Sequence, residues 1–156
     1  MPQHWLFKSE PSAYSFQDLK RDGQAEWDGV RNYQARNMLR DQVKKGDMVL
    51  FYHSNVETPS VVGVARVVVE GYPDHTAWDP LSAHPDRKSS PTNPIWYMVD
   101  IVAEVEFTVP VTLQTIRGIP ELADMLLVKK GMRLSIQPIS QSEFELIVHL
   151  GTDKSI

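Results

Sequence analysis

At 156 residues the chain has room for one domain with a sizeable core, and two full-sized domains would not fit. Hydrophobic residues make up 42% and charged residues 23%, which excludes a disordered chain. Sixteen Lys and Arg against 20 Asp and Glu give −4, too acidic for non-specific coating of a duplex, and the lack of cysteine removes disulfides, thiolate metal sites and cysteine nucleophiles.

The opening Met1-Pro2-Gln3-His4-Trp5 lacks the basic and apolar regions of a secretory signal. No apolar run approaches the ~20 residues of a membrane span. The expectation is a soluble, cytoplasmic, monomeric single domain over residues 1–156, with no membrane partner. Trp5-Leu6-Phe7-Lys8 reads as a first strand. Ser15 with Asp18 resembles a capping box and predicts a short helix ending near Gly23. Asp28-Gly29 marks a turn. From Tyr33 to about Lys45 the pattern is helical, with Ala35, Leu39 and Val43 on one face and Gly46 as the stop.

Met48 to Tyr52 is a mostly apolar strand. Val61 to Val69 is rich in β-branched residues, with Gly63 as a bulge or close-approach point. Residues 73–94 hold five prolines and form a long irregular excursion, the kind of loop that often carries function. Trp96 to Phe107 alternates, placing Tyr97, Val99, Ile101, Ala103, Val105 and Phe107 on one side. Thr112 caps a short helix to Arg117, and Pro120 starts another running to about Leu126. Leu134 to Gln137 reads as a strand ended by Pro138. Ser140 with Glu143 opens a last helix, with Gly151 beyond its end. Short strands with interspersed helices, and no regular βαβ alternation, give an α+β domain on a curled mixed sheet or small barrel.

The densest chemistry lies at Trp27-Asp28-Gly29-Val30-Arg31-Asn32-Tyr33-Gln34-Ala35-Arg36-Asn37. Residues 31–45 carry five basic groups against one acid, a local +4 in a chain of −4. Aromatic rings beside amides suit a flat base, which gains from stacking and offers a polar edge. The competing reading is a solvated helix face above core aromatics. A second cluster, His53-Ser54-Asn55, follows an apolar strand and suits a pocket mouth. His53 is there a candidate general base or metal ligand, against a turn in which Ser54 and Asn55 satisfy the backbone. The excursion brings Asp74, His75, Asp79, His84 and Asp86, whose spacing matches no metal motif and equally suits turns. GxGxxG, GxxxxGK[ST] and GxSxG are absent. With no legible nucleophile–base pair, a binding module is favoured over an enzyme.

The chain resembles the EVE-domain family. The likeness begins at Trp5 to Pro11 and Trp27 to Asn37 and continues through Phe51 to Asn55. It then takes in Tyr72-Pro73-Asp74, Ala77 to Pro80, Pro94 to Asp100, Pro120 to Met125 and Arg133 to Pro138. Ile95 stands where a basic residue is common in that family, which implies a weaker phosphate contact there. The resemblance implies a PUA-like fold, a small curled mixed β-barrel with flanking helices, related to YTH and ASCH domains. It also implies a pocket for a modified base, a modified cytosine or adenine in DNA or RNA.

Carried over on those motifs, the base-pocket candidates are Ser9, Trp27, Asn32, Tyr33, His53, Ser54, Asn55, Ser135 and Gln137. Trp27 and Tyr33 would stack or form a cage wall. Asn32, Asn55 and Gln137 would read the base edge, and Ser9 and Ser135 would supply hydroxyls. Lys8, Arg31, Arg36 and Arg40 would hold phosphates. No cofactor and no metal is implied. The expected function is a non-catalytic reader of nucleic acid carrying a modified base. The alternatives are an enzyme on modified nucleotides or RNA using His53 as acid or base, and a small-molecule or interaction module.

Overall fold

The structure, a computed structural model, describes residues 2–152. Six strands, β1 (His4–Ser9), β2 (Gln24–Glu26), β3 (Met48–His53), β4 (Ser60–Pro73), β5 (Tyr97–Thr112) and β6 (Ile136–Ile139), form one sheet. Their order is β2-β5-β4-β3-β1-β6. β1 runs parallel to β3, and the other described pairings are antiparallel. The helices are α1 (Phe16–Asp22), α2 (Tyr33–Asp41), α3 (Leu113–Arg117) and α4 (Gln141–Thr152). This is the α+β class with a mixed sheet and flanking helices. The sheet is not closed into a barrel by hydrogen bonds; β2 and β6 are its edges.

Successive residues of β1 serve opposite faces. Trp5 and Phe7 enter one core, with Phe16, Leu19, Leu39 and Ile101; Leu6 enters the other, with Leu50, Ile116, Leu122 and Ile147. A strand covered on both faces has no need of polar alternation, which is why β1 reads as an unbroken apolar run. Each of these fully buried large side chains contributes about 1.5–3 kcal/mol by leaving water.

The capping boxes form as the local sequence requires. The Asp18 amide donates to Ser15 Oγ while the Asp18 carboxylate accepts from the Ser15 amide, and Ser140 and Glu143 repeat the exchange ahead of α4. Thr112 caps α3.

Other expectations are corrected. α2 ends at Asp41, not near Lys45, because the buried Asp47 carboxylate competes for the chain that follows. It accepts from the Gln3 amide, Trp5 Nε1 and the Lys44 amide, each at 2.9 Å, and so fixes a turn at 44–47. The alternation of β5 fails beyond Ala103. The register passes from Ala65↔Ala103 to Val64↔Val105, so Glu104 is an extra residue. That bulge sends Phe107 to the second core and leaves Val105 exposed. The expected helix from Pro120 is two 3₁₀ turns, Pro120–Leu122 and Leu126–Val128. Pro138 lies inside β6 and does not end it, since an edge strand tolerates a missing donor. Gly151 lies within α4 and lets it sit on Phe107; a Cβ there would lie 2.2 Å from Phe107 Cδ2.

Candidate nucleic-acid interface

The end of β1, the turn before α1, β2 with the turn after it, and the residues leading into β6 surround a cleft of about 1030 Å³. That is ample for one nucleobase. Its floor is Trp27, which is only 8% exposed. The Trp27 ring centroid lies 5.4 Å from Phe7 and 5.5 Å from Phe51, so the indole belongs both to the core and to the cleft. The Trp27 amide donates to Val99 O at 2.7 Å, tying this wall to β5.

The turn after Trp27 is clamped by Asp74, which is fully buried. Asp74 accepts from the Gly29 amide at 2.9 Å, Arg31 Nη1 at 3.0 Å and the Thr76 amide at 2.9 Å. Burial alone would raise its pKa, but hydrogen bonds from Thr76, Gly29 and Arg31 outweigh that and hold the carboxyl below its ordinary value. Arg31 Nη2 also donates to His84 O at 2.7 Å. Gly29 has φ +80°, and a Cβ on it would lie 2.8 Å from His84 Cε1. His84 Nε2 is 3.4 Å from Asp28 Oδ2. The proline-rich excursion is thereby strapped against the cleft wall at His84.

Six of the base-pocket and phosphate candidates line this cleft: Lys8, Ser9, Trp27, Arg31, Ser54 and Ser135. Ser9 Oγ donates to Tyr14 O, and the Ser54 amide donates to Ser9 O at 2.9 Å. The Lys8 amide donates to Ser135 O at 2.9 Å. Burial pushes the Lys8 ammonium down in pKa, and among the described residues no carboxylate lies within ion-pair distance of it.

The others lie elsewhere, each for a visible reason. Asn32 is the N-cap of α2, its Oδ1 accepting from the Ala35 amide at 2.9 Å. Tyr33 is on the surface, 58% exposed, against Trp96. His53 Nε2 accepts from the Phe16 amide at 3.1 Å, and burial lowers the pKa of its ring. A neutral imidazole whose acceptor nitrogen is already engaged supports the start of α1 and is poorly placed as a base. Asn55 is exposed with φ +57°, its Nδ2 donating to Glu10 at 3.3 Å. Gln137 pairs with Leu6 and so faces the second core, fully buried, with Nε2 donating to Leu134 O at 2.9 Å.

Among the expected phosphate ligands, Arg31 is paired with Asp74 and Arg40 with Asp41 at 2.9 Å. Arg36 donates to Ile95 O at 2.6 Å and to Asn37 Oδ1 at 2.8 Å, both neutral groups. Lys8 and Arg36 are therefore the two of the four that make no direct ion pair among the described residues.

Several lining residues were not among the site candidates chosen from the sequence. Tyr14 lies three residues beyond the Trp5 to Pro11 motif, and its hydroxyl donates to Asp22 Oδ2 at 2.9 Å. Glu26 and Asp28 flank Trp27, and Arg133 precedes Leu134-Ser135; all three line the cleft. Their adjacency to residues already chosen was the available signal. An apolar floor, the Asp28 carboxylate and a half-buried ammonium suit a flat group bearing N–H donors, while the Glu26 carboxylate is taken up by His75 Nε2 at 3.2 Å. Among the described residues no three His, Asp or Glu are grouped so as to hold a metal ion. The acids of the excursion are engaged in turns, Asp79 with the Leu81 amide and Asp86 with the Lys88 amide and Trp96 Nε1.

Residues 3–150 match the EVE domain. The chain belongs to the EVE-domain family. Thymocyte nuclear protein 1 of Gallus gallus is 40% identical over 169 residues, covering 97% of this chain and 69% of that protein. A hypothetical protein from Leishmania major superposes with TM-score 0.92 at 40% identity, covering 97% of this chain and 95% of that one. Human THYN1 protein, solved in complex with DNA containing 5-methylcytosine, superposes with TM-score 0.89 at 37% identity, covering 99% of both chains. These relatives correct one expectation: EVE proteins so similar to this one are named as nuclear proteins, so a cytoplasmic assignment does not stand. Among the described residues no helix is long and apolar enough to cross a membrane.

Proposed function

We propose that this EVE domain is a non-catalytic reader that binds nucleic acid and holds one modified base, a 5-methylated cytosine in DNA, in the Trp27 cleft. The observation that carries the reading is the human relative, alike over 99% of both chains and solved with 5-methylcytosine-containing DNA. The cleft is consistent with it. An indole floor offers a face to the base, and Asp28 lines the same space with a carboxylate able to accept from an exocyclic amine. A base within a duplex reaches such a cleft only after flipping out, at a cost of a few kcal/mol, so single strands bind with less penalty.

The test is a binding series on short single strands carrying one 5-methylcytosine, one cytosine or one N6-methyladenine, in DNA and RNA. The expected order places methylated cytosine first. Equal affinity for cytosine and 5-methylcytosine would refute the reading. Mass spectrometry of the recovered strand should show it unchanged; a mass change exceeding the protein's stoichiometry and lost in His53→Ala would restore the enzyme alternative.

A further inference from the structure

We propose that Tyr33 is a second stacking site, a braced platform for the nucleobase next to the one held in the cleft. The inference rests on the reader function proposed above and adds a site outside the cleft.

Tyr33 is the one Phe, Tyr or Trp that is exposed among the described residues. It occupies the first turn of α2, where the cap is already supplied by Asn32 and the buried face by Ala35, Met38 and Leu39. Helix formation needs no large ring there. The ring is nevertheless held in place. Its centroid lies 4.9 Å from that of Trp96, with the planes 31° apart. Trp96 is itself only 4% exposed, and its Nε1 donates to Asp86 Oδ2 at 2.6 Å. An exposed aromatic on a fixed backing loses little freedom on binding, which is what makes a stacking surface effective.

Charge and position specify the occupant. Arg36 Cζ lies 5.1 Å from the Tyr33 ring centroid, and the acceptors of its guanidinium are the neutral Ile95 O and Asn37 Oδ1. A cation beside an exposed aromatic offers one group to a phosphate and another to a base. Arg31 connects the platform to the cleft, since it lines the cleft and its Cζ lies 5.5 Å from the Trp96 centroid. The path from the cleft through Arg31 and Trp96 to Tyr33 is continuous. Every base has a π-face, so the platform adds affinity without regard to sequence or modification.

The experiment compares wild type, Tyr33→Ala and Tyr33→Phe on three probes: 5-methyldeoxycytidine alone, a single-stranded pentanucleotide with 5-methylcytosine at its centre, and the same pentanucleotide unmodified. Thermal unfolding checks that the exposed substitutions leave the fold intact. Tyr33→Ala should weaken both pentanucleotides by the same factor, about tenfold on the scale of one base–aromatic stack. It should leave the nucleoside unaffected, and Tyr33→Phe should restore pentanucleotide binding. Wild-type affinity of Tyr33→Ala for the pentanucleotides overturns the platform, as does an equal loss on the nucleoside, which would put Tyr33 in the cleft. Failure of the reader function reads differently: wild type would bind the two pentanucleotides equally, while the dependence of both on Tyr33 still decides the platform. If wild type binds neither pentanucleotide, both proposals fall.

Discussion

Replacing Asp74 by Asn tests how the cleft wall is held. The carboxylate is fully buried and accepts from two groups on each side: the Gly29 amide and Arg31 Nη1 at Oδ2, and the Thr76 amide and hydroxyl at Oδ1. The amide of Asn retains one oxygen for Thr76 but turns an NH₂ toward two donors. Breaking a buried ion pair from one side costs about 3–5 kcal/mol. The Arg31 side chain keeps 22% exposure, so water recovers part of that, and the expected loss is about 2–4 kcal/mol. Urea unfolding of wild type and Asp74→Asn at neutral pH measures it.

The pH dependence gives a second check on the same residue. Asp74 has a pKa below its ordinary 3.8 in the folded protein, so its contribution is complete above that value. It is lost as pH falls through the lower, folded pKa, where the native carboxylate takes up its proton. The stability gap between wild type and Asp74→Asn should therefore be constant from pH 7 to about pH 5 and close under more acid conditions. A variant within about 0.5 kcal/mol of wild type at pH 7, the usual scale of a neutral surface change, would refute the clamp. So would a gap that widened in acid.

Trp27→Ala should cost about 3–5 kcal/mol of folding stability, because the indole packs on Phe7 and Phe51; Trp27→Phe should stay folded and give the cleaner binding measurement by titration with the methylated strand. Gly151→Ala should lower stability by about 1–3 kcal/mol in urea unfolding, since α4 must lift from Phe107 to admit the methyl group. Lys8→Met should flatten the salt dependence of strand binding, whereas Arg40→Ala, already paired with Asp41, should leave that slope unchanged; affinity measured against salt concentration separates the two.

Much of the fold was legible because its causes are close together in the chain. Ser15 with Asp18 and Ser140 with Glu143 close their capping boxes over three residues. The apolar runs of β1 and β3 reflect burial on both faces, which composition alone reveals. The candidate site was legible in part for the same reason: Ser9, Trp27, Ser54 and Ser135 lie in the motifs that carry the resemblance, and they meet at one cleft.

What stayed hidden depends on competition between groups far apart in sequence. Asn32 has an amide fit for a base edge, but the unpaired Ala35 N–H takes it as a cap. The local +4 of residues 31–45 looks like a phosphate surface until folding brings Asp74 to Arg31 across 43 positions. One bulge residue, Glu104, reverses which face the end of β5 presents, and periodicity cannot register an insertion it does not expect. Gln137 pairs with Leu6, and so faces the second core and not the cleft, through a register that only strand pairing sets. The sequence by itself determined most of the elements, the caps at Ser15, Thr112 and Ser140, and the family. The tertiary structure decided which polar groups remain available to a ligand, because a hydrogen bond or charge already satisfied inside the fold is no longer free to serve outside it.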